Sequence, residues 1–456
     1  MEIVKEKALL SFNRLKQNAF VKSVLTISSG IAISQGIGVL LSPIYTRIYA
    51  PSLFGDYSVM ISSGTILSSI ICLGLLTAIM LPKDDETAKR ICTLIMTLVI
   101  SLGTLFLAVA LIISPRWQAF SVDIPYWQGC LIVYFILVLT NISSIFYSYT
   151  NRLALYRVLF WNPILGAVSN AVLTVALGLA GWGLVGYSIG TISASVVSII
   201  YMSWHVKPFR FKSTKLMLTL KANKNFPLLQ LPANIISTFS LQLPVQMLSH
   251  FFGSTILGIY SITMRCLDIP TALLAAPINR VYYRDACAKY AEGQKIGEFT
   301  FNILKASIKL AIIPITILMV FGEPLFAFIF GEKWRLAGAY AEVLGVYSLV
   351  AFCSACISGG FVITGKQKYN LLLSVVSILA NAAAFIFGNL FFDDAYTVLI
   401  FFAVTNIVIE LGFIGWFVCS AGVHIKKYLK FVIQYIFIPS VSAIIIKILL
   451  KKARIL

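Results

Sequence analysis

Few ionisable residues stand inside apolar runs of this chain, and their types and spacing set the chemistry open to it. Arg265 and Asp268 lie three apart in one run, Asn302, Lys305 and Lys309 share a helical face at the start of the next, and Glu410 stands alone in a later one. A charge in hydrocarbon is costly and normally faces a polar interior, so these residues mark a candidate path for an ion or polar solute. An arginine near mid-membrane offers charge-assisted hydrogen bonds to an anion. Alternatively, Asp268 at i+3 neutralises Arg265 and makes the helix tolerable. Lys305 and Lys309 suit a vestibule that draws in an anion, or else they snorkel to the interface. Arg280 and Arg284, at i and i+4, extend that path or anchor a helix end. Glu410 is the candidate for coupling to a proton or to sodium, with Asp268 beside it, unless a salt bridge to Arg265 holds it. Gln35 and Gln246 are weaker candidates for hydrogen-bonding solute hydroxyls, and Arg47 is the cation at the end of the first run. The balance inside the runs leans positive, which favours an anionic solute over a cation.

The elements that position these residues follow from composition. Of 456 residues, 59% are hydrophobic and only 12% charged, against about 25% charged in soluble domains. Runs of roughly 20 apolar residues, each able to cross a bilayer as a helix, fall near 24–46, 54–81, 91–113, 126–149, 158–180 and 182–204. They resume at 226–251, 255–279, 299–321, 338–363, 370–392 and 395–419. The predicted fold is therefore an all-α polytopic membrane protein with twelve core helices in two six-helix lobes. Its boundaries are an N-terminal segment 1–22, an N-terminal lobe 23–204, a basic connector 205–225, a C-terminal lobe 226–420 and a C-terminal segment 421–456. That last segment contains Pro439 and Lys447 and ends in a basic tail, so it reads as an interfacial or partial span. Residues 1–22 do not have the pattern of a cleavable signal peptide.

Orientation follows from counting Lys and Arg. With the N-terminus inside, the predicted cytoplasmic segments carry 25 and the opposite side carries four, namely Arg47, Arg116, Lys333 and Arg335. Translocation disfavours Lys and Arg in short external loops, so the N-terminus is expected in the cytoplasm. Basic loops facing anionic lipid also account for most of the +19 net charge without nucleic acid. The eight cysteines and three histidines lack the spacing of a disulfide framework or metal site, so no metal is expected. The acidic stretch Asp84-Asp85-Glu86 reads as a solvated loop, and no catalytic cluster accompanies it, so no enzymatic role is assigned.

A weak internal repeat links the halves, as duplicated bundles do in many transporters. Pro43 precedes Phe54-Gly55-Asp56-Tyr57-Ser58, and Pro244 precedes Leu257-Gly258-Ile259-Tyr260-Ser261. Arg157 and Asn170 stand 13 apart, as do Lys368 and Asn381.

The stretch from Gly30 through Gln35, Pro43 and Arg47 to Pro51-Ser-Leu-Phe54-Gly55-Asp56-Tyr57 resembles the opening of bacterial polysaccharide flippases. These are the Wzx-type O-antigen and capsule exporters of the multidrug/oligosaccharidyl-lipid/polysaccharide superfamily. The resemblance implies alternating access that carries an undecaprenyl-pyrophosphate-linked oligosaccharide from the cytoplasmic to the periplasmic leaflet of a bacterial inner membrane. It also implies membrane lipids, a polysaccharide polymerase and a chain-length regulator as partners. Such a cargo needs a wet, cationic cavity, because each unsatisfied polar group in hydrocarbon costs several kcal/mol. The rival within the superfamily is an ion-coupled cation or drug antiporter.

Overall fold

The structure is a computed structural model that describes residues 26–82, 84–113, 124–206, 216–224, 226–366, 368–392 and 394–452. The segment 1–22, residues 207–215 of the connector and the last four residues lie outside that description. The described residues are helical throughout, without a strand. In chain order the main helices are α1 (Thr26–Ile48), α2 (Pro51–Ile71), α3 (Asp85–Ile113), α4 (Tyr126–Arg152), α5 (Tyr156–Leu179) and α6 (Gly183–His205). After a short helix, Leu216–Ala222, come α7 (Leu231–Leu267), α8 (Ala276–Ala291), α9 (Gly297–Phe330), α10 (Arg335–Ile357), α11 (Lys368–Phe392), α12 (Ala395–Ser420) and α13 (Ile425–Leu450).

Eleven stretches of the described residues are long and apolar enough to cross a membrane, and one of them, Leu231–Ala291, holds two expected spans. Its 37-residue helix α7 contains a non-helical residue, Gly253 at φ 74° and ψ −179°, where an L side chain would be strained. The break lies between the runs expected at 226–251 and 255–279. With α2, whose 21 residues fall outside the eleven, the polytopic all-α fold of twelve core spans is in place.

Prolines inside apolar helices are accommodated by wider turns. Three π-turns, Phe226–Gln230, Thr271–Ala275 and Ile433–Phe437, each end two residues before a proline, at Pro232, Pro277 and Pro439. A proline lacks its N–H and its ring crowds the carbonyl four residues back. A local π-turn relieves that conflict without ending the helix.

The last run, expected as an interfacial or partial span, is long and apolar enough to cross a membrane. It forms the 26-residue helix α13, fastened to α9 at both ends. Lys427 pairs with Glu298 at 2.5 Å near the start of α9, and Lys447 pairs with Glu323 at 3.2 Å near its other end. Twenty residues of helix separate the two lysines, a rise of about 30 Å, which is the thickness of a hydrocarbon core. Lys447, an interruption in the one-dimensional reading, is thus the residue that ties the far end of α13.

By compactness the chain divides into two units: unit 1 is 1–41, 71–109 and 134–228, and unit 2 is 42–70, 110–133 and 229–456. Unit 2 thus contains α2 and the end of α1 as well as everything after 229.

Within unit 1, α5 and α6 are joined by Ser198, whose hydroxyl donates to Asn162 Oδ1 at 2.7 Å, and Ser143 of α4 joins the same group at 2.8 Å. The acidic stretch is organised rather than merely solvated. Asp84 accepts the backbone N–H of Thr87 at 2.7 Å, and this capping bond holds its exposed carboxyl below the usual carboxylate range. Asp85 accepts from Tyr149 Oη at 2.8 Å and pairs with Lys89 at 3.0 Å. Arg152 donates to the carbonyls of Ile79, Met80 and Asp84.

Within unit 2, the two motifs of the internal repeat meet. A side chain at Gly55 would overlap the carbonyl of Ser254, and one at Gly258 would overlap the carbonyl of Pro51. Ser58 and Ser261, equivalent in the repeat, share a hydrogen bond at 2.8 Å. Small residues let two helix backbones approach this closely, and hydroxyls then bond across the seam. Asp56 accepts a hydrogen bond from Ser254 at the same crossing. The turn before α10 closes over it: Trp334 Nε1 donates to the Thr46 carbonyl at 3.0 Å and Lys333 Nζ to the Tyr49 carbonyl at 3.1 Å. Trp334 is fully buried and meets Phe54 edge-on.

Candidate functional site

Arg265 and Asp268 sit at the end of α7, both exposed. A guanidinium in the middle of an expected span requires polar partners, which lipid does not offer.

Glu410, near the middle of α12, has one carboxylate oxygen, Oε2, buried and without a hydrogen-bond partner. Ser354 of α10 lies near the carboxyl group. Tyr347 of α10 lies within electrostatic reach of both Glu410 and Asp268, and Tyr260 of α7 within reach of Asp268 and Tyr347. Sequence reasoning named the two carboxylates, and the structure brings them into one neighbourhood through the two tyrosines. Glu410 forms no ion pair with Arg265, so the static salt bridge is not the arrangement found. The orphaned oxygen leaves the carboxyl group able to take a proton, and no group of three or more His, Cys, Asp or Glu side chains able to hold a metal occurs among the described residues.

The basic stripe of α9 faces α13. Lys305 lies over the Phe301 ring at 4.6 Å, and Lys309 over the Tyr435 ring of α13 at 6.0 Å. Lys427 shares the Phe301 ring at 5.2 Å. Cation–π contacts of this kind stabilise a partly desolvated ammonium, so both lysines lie along a seam between two helices. Arg284 pairs with its neighbour Asp285 at 2.7 Å. Arg280 is exposed on the same face of α8, and Arg47 is exposed at the end of α1. Gln246 is committed to helix contacts, donating to Ser62 at 3.0 Å and Ser63 at 3.4 Å on α2. Gln35 is exposed on α1 in unit 1. The structure thus groups Asp268, Glu410 and the tyrosines, leaves Arg265 exposed beside them in sequence, and places Lys305 and Lys309 against α13.

One polar cluster escaped the sequence reading. Lys447 bonds Glu342 as well as Glu323, and the side chain of Glu342 is only 7% exposed. The signal was present. Glu323 and Glu342 flank the turn between α9 and α10 at comparable distances from it, so they reach the same depth, and a lysine inside a hydrophobic run needs a partner at that depth.

The family described as polysaccharide biosynthesis protein matches residues 44–338. The succinoglycan biosynthesis transport protein ExoT of Rhizobium meliloti (strain 1021) is 23% identical over 329 residues, 69% of this chain. This chain spans 62% of that relative's length. Among solved structures, the lipid II flippase MurJ in an inward closed conformation superposes with a TM-score of 0.69 at 13% identity, covering 93% of this chain and 96% of that one. An inward-facing multidrug resistance transporter of the MATE family, in the MOP superfamily, superposes with a TM-score of 0.62 at 16% identity, covering 89% and 98%. At such identities the likeness establishes the fold.

Proposed function

Since the chain belongs to the polysaccharide biosynthesis protein family, a group of multi-pass membrane proteins to which its fold conforms, we propose that it is a flippase for an undecaprenyl-pyrophosphate-linked oligosaccharide repeat unit. The cargo moves from the cytoplasmic to the periplasmic leaflet by alternating access and serves surface polysaccharide assembly of the O-antigen or capsule type. The protein resides in the bacterial inner membrane with its N-terminus in the cytoplasm, a placement supported by the 25-to-four distribution of Lys and Arg.

The observation that carries the reading is Arg265, a guanidinium exposed within an expected span. A pyrophosphate is the kind of group that a guanidinium binds through paired, charge-assisted hydrogen bonds. Arg280 and Arg284 extend cationic character toward the cytoplasmic end of the same helix pair. Glu410 carries the coupling proton, with Asp268 as the second carboxylate and Tyr347 within electrostatic reach of both.

Reconstituted full-length protein tests both parts. Vesicles should accelerate transfer of a fluorescent, lipid-linked, pyrophosphate-bearing sugar, and Arg265→Ala should lower that rate at least tenfold with protein abundance unchanged. Glu410→Gln should remove the dependence of the rate on a proton gradient. Antiport of a cationic dye without transfer of the anionic lipid would sink the flippase reading and favour the drug-antiporter alternative.

A further inference from the structure

Three helices end side by side at the basic end of unit 2, and each ends in the same way. After α8, the N–H of Gly293 donates to the Tyr290 carbonyl and that of Gln294 to the Lys289 carbonyl, at 3.0 Å each. After α10 and its short extension Gly359–Ile363, Gly365 donates to Val362 at 3.2 Å and Lys366 to Phe361 at 2.8 Å. After α12, Gly422 donates to Cys419 at 3.0 Å and Val423 to Val418 at 3.2 Å. All three glycines have positive φ, at 75°, 67° and 109°. This is the paired bonding of the Schellman motif, which satisfies the last carbonyls of a helix through the backbone alone.

The three turns frame a cavity of about 600 Å³ whose lining includes Lys295, Lys366, Gln294, Thr364, Ser420 and Tyr290, with no acidic side chain. A lysine beside a helix C-terminus ordinarily serves the terminal carbonyls. Here the backbone bonds two of those carbonyls at each helix end, and both lysines line the recess. Lys366 donates to Ser420 Oγ at 2.7 Å and lies over the Trp416 ring at 5.0 Å, which holds its position. Lys295 is exposed, and its stem packs against Gly422. The carboxylates nearest in sequence are engaged: Glu292 accepts from Gln294 at 2.8 Å, and Glu298 is paired with Lys427.

We propose that this cavity is a binding site for a phosphate group, held by the ammonium groups of Lys295 and Lys366, with Thr364, Ser420 and the Tyr290 ring forming its walls. Two ammonium groups in a recess rather than on a convex surface, with no acidic side chain in its lining, favour a divalent anion over chloride. The phosphate belongs either to the headgroup of an anionic lipid at the membrane face or to a soluble phosphate ester. The site is separate from Arg265 and does not rest on the identity of the cargo.

Purified full-length protein in detergent is titrated calorimetrically with inorganic pyrophosphate. In a second arm, native mass spectrometry compares retention of phosphatidylglycerol with that of phosphatidylcholine. Saturable binding in the first arm identifies a soluble phosphate, and preferential retention of phosphatidylglycerol alone identifies a headgroup. In either case the double variant Lys295→Gln/Lys366→Gln should weaken binding at least tenfold, and Lys295→Arg/Lys366→Arg should restore it. Lys426→Gln/Lys430→Gln removes two exposed lysines outside the cavity and should leave binding unchanged. Because Arg265 is itself proposed to take a pyrophosphate, the titration is repeated in an Arg265→Ala background, where the binding that Lys295→Gln/Lys366→Gln removes should persist. No saturable binding in either arm overturns the proposal, as does equal weakening by the Lys426 and Lys430 variant.

Discussion

Replacing Lys447 by Met tests whether the last helix is held by charge. Its ammonium stands 3.2 Å from Glu323 and in direct contact with Glu342, whose side chain is 7% exposed, while Lys447 itself is 20% exposed. At an effective dielectric of about 20, a contact at that distance carries a gross attraction of about 5 kcal/mol, most of which offsets desolvation. The net worth of the cluster against an apolar substitute is accordingly small. Removing only the cation is different, because it strands Glu342 in an apolar setting with Glu323 beside it, and breaking a buried pair in this way costs about 3–5 kcal/mol. Glu323 is 26% exposed and keeps some hydration, so about 3 kcal/mol is the better figure, a drop in unfolding temperature on the order of 5 °C. Thermal unfolding of the purified protein in one detergent, followed by loss of the monodisperse peak, measures it. The triple variant Lys447→Met/Glu323→Gln/Glu342→Gln should recover most of the loss, since no charge is then stranded. An unchanged unfolding temperature in Lys447→Met, or a triple variant no better than the single one, would refute the reasoning.

Other outcomes follow from the same physics. In a background without native cysteines, Ser58→Cys/Ser261→Cys should oxidise readily, because the two oxygens are 2.8 Å apart. If that crossing opens during alternating access, oxidation should stop flipping and a reductant restore it; full activity of the cross-linked protein would show that the crossing stays shut. Gly258→Val places side-chain atoms where the Pro51 carbonyl lies; a loss of several kcal/mol, of the size caused by overpacking, is expected in thermal unfolding. Asp394 caps α12: burial alone would raise its carboxyl, but hydrogen bonds from Thr397 N at 2.9 Å and Oγ1 at 2.8 Å outweigh that and hold it low. Its contribution is therefore present above the ordinary Asp value of 3.8 and is lost as pH falls through the lower folded value. Asp394→Ala should cost about 1 kcal/mol near neutral pH, and a thermal profile identical to the parent at both neutral and acid pH would contradict the capping role.

What could be read from the chain and what could not divide along a physical line. Hydrophobic runs of the right length are a one-dimensional property, so the spans were legible, down to the break at Gly253 where one span ends and the next begins. Helical period shows which residues share a face, so the α9 stripe of Lys305 and Lys309 was legible too. It does not show which neighbour that face meets. Tyr435 lies more than a hundred residues away on α13, and only the packed structure sets it under Lys309. The same holds for Gln246, whose partners are on α2, and for Lys447, which has meaning only beside Glu323 and Glu342. Read without those partners, Lys447 counts only as an interruption of the run that forms α13.

The internal repeat carries more of the tertiary structure than any single motif. Gly55 and Gly258 are equivalent positions 203 residues apart, as are Ser58 and Ser261, and in each case the two members meet at one crossing. When residue i contacts its own equivalent, the contact lies on or near the axis that relates the copies, as in an isologous interface between identical subunits. A side chain placed on such an axis must fit against itself, which leaves room only for glycine where the backbones touch and favours a small hydroxyl that can both donate and accept. The Gly-x-x-Ser spacing shared by the two motifs is therefore a steric requirement of this crossing. A bulky residue at either glycine is expected to disturb both copies of the motif at once.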